Sequence, residues 1–271
     1  MQQVCQKSWK WNSSSRRSIS TLTTTRRHEQ LRRSLRRHDE PVSNLKAMSE
    51  PLSPSVGMAV IHLFGHAAAD FDATATIDAV NDAKARGTQV VAVSMLGHKA
   101  DVAFMAIASD MRDLRTFQSA LQRAGVFVTD SYVSLTEVSE YAANVPEEMK
   151  NARLYPQIPI PGKNAWCFYP MSKKRDAEDN WFTLPFDKRS ELMMEHGKSG
   201  RTFAGRVVQL VTGSTGLDDY EWGVTLFAVN PDDLKDVVYT MRFDEASAKY
   251  ADFGQFYVGM VTPIEELVTT L

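Results

Sequence analysis

A chain of 271 residues is long enough for one large domain or two ordinary domains with a sizeable core. Hydrophobic residues make up 43% and charged residues 24%, and no apolar run approaches the ~20 residues of a membrane-spanning helix, which excludes a helical membrane protein. The two cysteines, Cys5 and Cys167, exclude a disulfide framework and indicate a reducing compartment.

Charge is distributed unevenly along the chain, although the formal net charge of the whole is only −2. Residues 1–38 contain ten Lys or Arg and one acidic residue, Glu29, whereas the remaining 233 residues contain 21 basic and 32 acidic side chains. The acidic balance of this larger part argues against nucleic acid as the main partner. The sequence therefore joins a basic extension to an acidic globular part.

Residues 1–54 are predicted to be a basic, disordered extension. Serine, threonine and arginine are frequent in it, and it lacks the roughly 7–15-residue apolar core of a secretory signal. The residues leave three alternatives open: an organellar transit peptide, a basic arm that binds nucleic acid or a membrane surface, and an upstream extension with Met48 as the alternative start. Because the segment cannot bury a core, we assign it no function.

Residues 55–145 carry the pattern of a first folded unit. Its predicted elements are a strand at 58–64, a helix at 72–86, strands at 89–96 and 101–108, a helix at 110–123 and a strand at 126–138. Gly87 and Gly125 follow the two helices, where glycine commonly ends a helix. The order β-α-β-β-α-β is that of a ferredoxin-like unit.

The same order recurs in residues 164–271, after a proline-containing connector at 146–163. Its predicted elements are a strand at 165–171, a short piece at 180–182, a helix at 185–196, strands at 206–212 and 222–229, a helix at 231–243 and a strand at 254–262. Helices cover only one face of a ferredoxin-like sheet, so another layer must bury the other face. We therefore predict an α+β fold in which two ferredoxin-like units pack as a dimeric α+β barrel.

Several common motifs of catalysis and metal binding are missing from the sequence. The stretch at 197–199 (GKS) lacks the preceding glycine of a phosphate-binding loop, because position 192 is Leu192. His62, His66 and His98 have no carboxylate or cysteine at zinc-ligand spacing, and we interpret them as core or surface residues. No Gly-x-Ser-x-Gly or Cys-x-x-Cys motif occurs.

His196 lies in the last turn of an amphipathic helix that the sequence predicts to open at Pro185 and to end at Gly197. It shares a mostly apolar stripe with Leu192 and Met193. That position suits a packed core histidine or a ligand that faces a pocket. These residues alone leave both interpretations open.

The densest chemical feature is the stretch 166–175 (WCFYPMSKKR), where an aromatic strand ends at a proline and three consecutive cations follow. Taken alone, the cations would form a solvated turn. A pocket with one neutral imidazole, a tyrosine and these cations at its mouth would suit an iron porphyrin that carries several carboxylates.

Five stretches together resemble the coproheme decarboxylases, which belong to the chlorite dismutase-like superfamily of dimeric α+β barrels. They are 169–175 (YPMSKKR), 179–181 (DNW), 192–197 (LMMEHG), 213–223 (GSTGLDDYEWG) and 241–250 (MRFDEASAKY). The resemblance is strongest from about residue 153 to residue 259 and is looser through the first unit. It excludes the first 50 or so residues.

The resemblance implies a reaction. Enzymes of this family bind iron coproporphyrin III (coproheme), which has four propionates, and use hydrogen peroxide to convert two of them into vinyl groups. The product is haem b. In this reaction coproheme is both the substrate and the redox centre. The family also implies a homopentamer in the bacterial cytoplasm and a transient contact with the coproporphyrin ferrochelatase.

The resemblance also implies roles for individual residues. His196 would be the axial ligand to iron, and Tyr169 would be the catalytic residue, whose radical takes a hydrogen from the propionate β-carbon. Lys173 would contact the reacting propionate. The remaining residues implied to bind the porphyrin are Arg153, Tyr169, Pro170, Met171, Ser172, Gln209 and Ser247, with Arg242 as a further neighbour.

Differences between this sequence and related families indicate which branch of the decarboxylases it resembles. Chlorite-degrading relatives have a distal arginine where this chain has Gln209, and one branch of decarboxylases uses a distal histidine. No histidine occurs here between His98 and His196, which fits the glutamine-type branch. The alternatives are a haem-binding carrier or regulator, which would not need Tyr169 and Lys173, and a peroxidase or chlorite-degrading enzyme, which Gln209 disfavours.

Overall fold

Nine β-strands form one hydrogen-bonded sheet in the computed structural model, which describes residues 50–142 and 145–271. Strands β1 to β9 are Ala59–Ala67, Gln89–Met95, Val102–Ala108, Val126–Thr136, Ala165–Lys173, Val207–Gly213, Trp222–Ala228, Ala251–Phe253 and Tyr257–Val261. Helices α1 to α7 are Ala73–Ala85, Met111–Arg123, Glu147–Leu154, Phe186–Arg201, Pro231–Met241, Glu245–Ala248 and Ile264–Leu267. The predicted α+β class is confirmed. The extension predicted at residues 1–54 lies almost wholly outside the described residues.

The strands join into a ring. In the first half of the sheet the strand order is β4-β1-β3-β2. Continuing in the same direction, the second half has the order β9-β5-β7-β6, so in each half the fourth strand is followed by the first, the third and the second. The pairs β2–β9 and β4–β6 connect the halves, and the pair β5–β7 completes a ring of eight antiparallel strands. The short strand β8 pairs with the end of β5.

Aromatic side chains fill the inside of this ring. Phe168 stacks on His62 at 4.2 Å between ring centroids, and Phe64 stacks on Tyr257 at 3.7 Å. Trp166 is fully buried beside them. Burial lowers the pKa of His62 to about 3, so its imidazole is neutral, and its Nε2 lies 2.9 Å from Oγ1 of Thr225. His62 is therefore a core residue, as interpreted from the sequence.

The helices lie against the outer faces of the two half-sheets. Phe117 and Leu121 of α2 pack on alternate residues of β1 and β3, while Leu234 and Val237 of α5 pack on the outer face of β5 and β7. The two faces of each strand thus serve different cores, because successive side chains point to opposite sides of a sheet.

The predicted C-terminal end of helix α4 is wrong. The sequence predicts that Gly197 ends this helix, but the helix continues to Arg201 and Gly197 does not adopt a positive φ. Glycine inside a helix costs about 1 kcal/mol relative to alanine, and tertiary packing can outweigh that cost. A Cβ at Gly200 would lie 3.7 Å from the Met241 side chain, in ordinary contact with α5.

Other short elements are absent from the predictions. The connector predicted at 146–163 contains helix α3, and the chain after α5 contains α6, β8 and α7. The last strand is Tyr257–Val261 rather than 254–262. These elements have only three to eight residues, too few for a hydrophobic period to be recognised.

None of the helices in the described part of the chain combines the length and the hydropathy that a membrane-spanning helix requires.

Replacing Phe168 with alanine should lower the free energy of unfolding by roughly 3–5 kcal/mol, because the ring is fully buried and its loss leaves a cavity. Urea denaturation measures the change. Phe243→Ala is the control, since that ring is 71% exposed and its loss should change stability by no more than about 0.5 kcal/mol. Equal effects of the two variants would contradict the proposed packing of the ring interior.

Candidate functional site

A cavity of about 640 Å³ lies between the outer face of the second half-sheet and helices α4 and α5. Its size is within the roughly 300–1,000 Å³ of typical cofactor sites. Aliphatic side chains from β7 and α5 form an apolar wall, among them Val224, Leu226, Val237 and Met241. Seven of the residues singled out from the sequence line this single cavity: Arg153, Tyr169, Met171, Lys173, His196, Gln209 and Ser247. Arg242 also lines it.

Pro170 and Ser172 are not among the residues that line the cavity. They alternate along β5 with Tyr169, Met171 and Lys173, so they point to the opposite face of the sheet. Ser172 Oγ accepts a hydrogen bond from the backbone N–H of residue 221 at 3.1 Å. The structure therefore does not bring these two predicted binding residues to the site.

His196 is held by a buried carboxylate. Its Nδ1 lies 3.1 Å from Oδ2 of Asp244 and 3.3 Å from Oγ of Ser247. The carboxylate also caps helix α6, because Asp244 Oδ1 accepts from the backbone N–H of Ser247 at 2.9 Å. Among the described residues these bonds engage only Nδ1, which leaves Nε2 as the nitrogen with a free lone pair when Nδ1 carries the proton.

The charge of Asp244 depends on these partners. Burial favours the neutral acid, but the hydrogen bond and charge of His196, together with the bonds from Ser247, lower the pKa of Asp244 overall. A carboxylate that stays ionised in this position orients the imidazole and makes it a stronger ligand.

Tyr169 is buried in the middle of β5, with 6% of its surface exposed. Its ring stacks on Phe256 at 4.4 Å and meets Phe253 edge-on at 5.7 Å. Burial raises the pKa of Tyr169 well above its usual value, so the phenol is protonated at neutral pH. The site thus contains a neutral phenol fixed by two aromatic rings.

Lys173 lies at the end of β5 and is also buried. Its Nζ donates to the carbonyl oxygen of Ala246 at 2.6 Å and lies 4.4 Å from the ring centroid of Trp181. Burial lowers the pKa of Lys173 to about 8, against the opposing charges of Asp244 and Glu221. Because Ala246 and Ser247 both lie in α6, one short helix contacts both Lys173 and His196.

The remaining polar residues approach the cavity from separate elements. Gln209 is exposed on β6, and Arg153 and Arg242 lie at the C-terminal ends of α3 and α5. Glu137 and Glu140 line the cavity from the segment after β4. The site therefore combines an apolar wall with cations at several points of its edge.

This arrangement fits a metal held inside a macrocycle. No group of three or more His, Cys, Asp or Glu side chains that could hold a metal ion occurs among the described residues. A single imidazole with an available Nε2 can instead provide one axial ligand to iron whose other ligands come from a porphyrin. The apolar wall would cover the ring, and cations at the edge would pair with its carboxylates.

The sequence predictions missed Asp244, Trp181 and Glu221. Asp244 had a local signal, since Asp followed three residues later by Ser247 at the start of a short helix is a typical N-cap arrangement. All three lie in stretches that carry the family resemblance, at 179–181, 213–223 and 241–250. No local pattern gave Glu221 or Trp181 a role in the site, because their contacts with Lys173 join residues that are far apart in the sequence or lie in irregular turns.

Comparisons with known proteins agree on a family. The family model described as chlorite dismutase matches residues 67–262. Proteins described as coproheme decarboxylase in Staphylococcus saprophyticus and Staphylococcus carnosus are 43% and 44% identical over 182 and 186 residues. These matches cover 64% and 65% of this chain and 73% and 74% of the relatives.

Solved structures give the same fold. A heme-binding protein from Thermus thermophilus is 31% identical with a TM-score of 0.69, over 79% of this chain and 94% of that one. Chlorite dismutase from Candidatus Nitrospira defluvii in complex with imidazole has a TM-score of 0.64 over 80% of this chain and 96% of that one. Its identity of 21% makes it a likeness of fold alone.

Replacing Asp244 with asparagine should lower the free energy of unfolding at pH 7 by about 1–3 kcal/mol, because charged hydrogen bonds to His196 and Ser247 are weakened. The folded-state pKa of Asp244 is lowered, so its contribution is present above the unfolded-state pKa and is lost as pH falls through the folded-state pKa. The difference from the unmodified chain should therefore shrink below about pH 4.

Urea denaturation at pH 7 and at pH 3.5 measures this difference. Asp232→Asn, an exposed acid in the first turn of α5, is the matched control and should show little change at either pH. A loss for Asp244→Asn that is the same at both pH values would contradict the assignment of an ionised carboxylate.

Proposed function

The chain belongs to the chlorite dismutase family, which confirms the resemblance found in its sequence, and we propose that it is a peroxide-dependent coproheme decarboxylase. Its reaction converts two propionates of iron coproporphyrin III into vinyl groups and yields haem b. The observation that carries the proposal is that His196, Tyr169 and Lys173, which lie on different parts of the sequence, line one cavity. Relatives more than 40% identical that are described as coproheme decarboxylase support the same reaction.

His196 is proposed to bind iron through Nε2. Asp244 holds Nδ1 and so orients the ring, and the low folded-state pKa of this carboxylate keeps it ionised. The apolar wall of Val224, Leu226 and Val237 excludes water from the face of the porphyrin. These residues account for binding but not for the chemistry of the propionates.

Tyr169 is proposed as the catalytic residue. Bound coproheme is substrate and redox centre at once, and with hydrogen peroxide it supplies the oxidising equivalents of the reaction. The Tyr169 Oη would give up its hydrogen atom, as a proton and an electron, to the peroxide-oxidised substrate and then take a hydrogen atom from the propionate β-carbon. The resulting carbon radical would return one further electron to the oxidised porphyrin as the bond to the carboxylate breaks, so each propionate loses carbon dioxide and becomes a vinyl group while one hydrogen peroxide is reduced to two water molecules. Stacking on Phe256 and burial among aromatic rings hold the phenol in place for both transfers.

Lys173 is proposed to pair with the reacting propionate. A compact ammonium in a buried position attracts a carboxylate strongly, and its bond to the Ala246 carbonyl fixes the position of its Nζ. Arg153, Arg242 and Ser247 are proposed to hold other propionates. Gln209 is proposed to lie on the distal side of the iron, where a chlorite-degrading relative would have arginine.

Two other functions are less well supported. A haem-binding carrier or regulator needs the axial histidine and cations at the edge of the porphyrin, but not a phenol and an ammonium that are both buried. A peroxidase or chlorite-degrading enzyme on the same scaffold would not need Lys173 beside the porphyrin edge.

The state of the protein in the cell is also part of the proposal. We propose a homopentamer in the bacterial cytoplasm that receives coproheme through transient contact with the coproporphyrin ferrochelatase. The family resemblance supports these three points. Membrane and nucleic acid are not proposed as partners, since the acidic balance after residue 38 disfavours binding to nucleic acid.

Titration of the coproheme-loaded protein with hydrogen peroxide should reduce the mass of the porphyrin by two carbon dioxide molecules and four hydrogen atoms. A three-propionate intermediate should accumulate and disappear, as followed by mass spectrometry of the extracted porphyrin. Bleaching of the porphyrin without loss of carbon dioxide would reject the proposed reaction.

Tyr169→Phe should bind coproheme with little change in affinity, yet fail to decarboxylate it, because the hydroxyl hydrogen is missing while the ring still packs on Phe256. Tyr239→Phe, at an exposed position on α5, is the matched control and should react normally. His196→Ala should alter the visible absorption spectrum of bound coproheme through loss of the axial ligand. Normal turnover by Tyr169→Phe would refute the radical role of Tyr169.

A further inference from the structure

Glu221 is a buried carboxylate outside the residues that line the large cavity, and it contacts residues 171–175, at the end of strand β5, at several points. Its Oε2 accepts from the backbone N–H of Lys173 at 2.8 Å, and its Oε1 pairs with the guanidinium of Arg175. Its own backbone N–H donates to the carbonyl oxygen of Met171 and to Oγ of Ser172, both at 3.1 Å. Only 6% of Glu221 is exposed.

These contacts occur at the end of β5, where its pairing with β7 stops. The β5–β7 ladder ends at the pair Met171–Trp222, and the end of β5 pairs on its other side with β8. The backbone N–H of Lys173 points towards β7 but lies beyond the last pair of that ladder. The carboxylate of Glu221 supplies the acceptor that the strand no longer provides, which satisfies a buried donor.

The charge of the Lys173 side chain is influenced by two carboxylates, first Asp244 and then Glu221. Asp244 approaches from the N-terminus of α6, with His196 of α4 hydrogen-bonded behind it, and Glu221 approaches from the start of β7 with Arg175 beside it. From the turn that contains Trp181, the face of the indole ring contacts Lys173, with 4.4 Å from Nζ to the ring centroid.

We propose that Glu221 is a positioning residue of the site: it fixes the backbone of Lys173 at the end of β5 and holds a negative charge that favours the ammonium form of its side chain. No cavity-lining carboxylate can take over this role, because Glu221 alone joins the Lys173 backbone to β7 among the described contacts. Its effect on turnover rests on the proposed function, whereas its effect on the protonation of Lys173 does not.

The protonation of Lys173 gives a direct measurement. Burial lowers the pKa of Lys173 to about 8, and the charges of Asp244 and Glu221 oppose that lowering. Glu221→Gln keeps an oxygen that can accept from the Lys173 N–H but removes the charge, so the pKa of Lys173 should fall by about one unit. Arg175→Gln removes the cation that pairs with the Glu221 carboxylate, so the charge of Glu221 is no longer compensated and should shift the pKa of Lys173 upwards.

The full chain without porphyrin is labelled with trace acetic anhydride at a series of pH values, and mass spectrometry quantifies acetylation of Lys173 relative to the exposed Lys198. Asp219→Asn is the matched control, because it removes an acid of the same loop that makes no contact with Lys173 in the described hydrogen bonds. It should leave the titration of Lys173 unchanged.

Opposite shifts for Glu221→Gln and Arg175→Gln, with none for Asp219→Asn, would support the proposal. A titration of Lys173 that is the same in Glu221→Gln and the unmodified chain would overturn it. Arg175→Gln gives an independent answer if the buried substitution prevents folding, since an unshifted or lowered pKa there would also overturn the proposal.

Decarboxylation by the coproheme-loaded protein provides a second readout. The alkaline limb of its pH profile should move to lower pH in Glu221→Gln, by about the same one unit as the titration of Lys173, and remain in place in Asp219→Asn. If the labelling shift is found but no variant decarboxylates coproheme, the proposed function fails while the role of Glu221 in the protonation of Lys173 stands.

Discussion

The hydrogen bond between His196 and Asp244, at 3.1 Å, is the interaction on which the candidate site depends. The carboxylate caps helix α6 and orients an imidazole from α4, so two elements 48 residues apart meet at one buried charge. Through the carbonyl of Ala246 the same helix contacts Lys173. A four-residue helix with little stability of its own therefore positions both the proposed ligand and the proposed ammonium.

Successive side chains of strand β5 point to opposite faces of the sheet, so one set packs in the core and the other lines the cavity. Trp166 and Phe168 point into the ring of strands, where aromatic side chains leave the interior filled. Tyr169 and Lys173 point outwards, to the cavity beneath α4 and α5. Because a shift of one residue would exchange the two faces, the pairing of β5 with β7 determines that the phenol faces the cavity.

Burial shifts the pKa values of two titratable side chains that line the cavity. A phenol whose pKa is raised and an ammonium whose pKa is lowered towards neutrality lie on the same strand, and both shifts arise first from desolvation. Buried carboxylates at Asp244 and Glu221 limit the shift of the ammonium. A neutral phenol and a cation that line the same cavity suit the proposed substrate, whose reacting group is a carboxylate.

The sequence by itself determined the two β-α-β-β-α-β patterns and, through the motifs around Tyr169 and His196, the family, because hydrophobic periods and long motifs are local properties. The predicted helix boundary at Gly197 was wrong, because the helix continues to Arg201 and packs against α5 beyond that glycine, at Gly200. Only the tertiary structure decided that Pro170 and Ser172 face away from the cavity. It also decided that Asp244 meets His196 and that Glu221 meets Lys173, since these contacts join residues 48 positions apart, which only the packing of the whole sheet and its helices brings together.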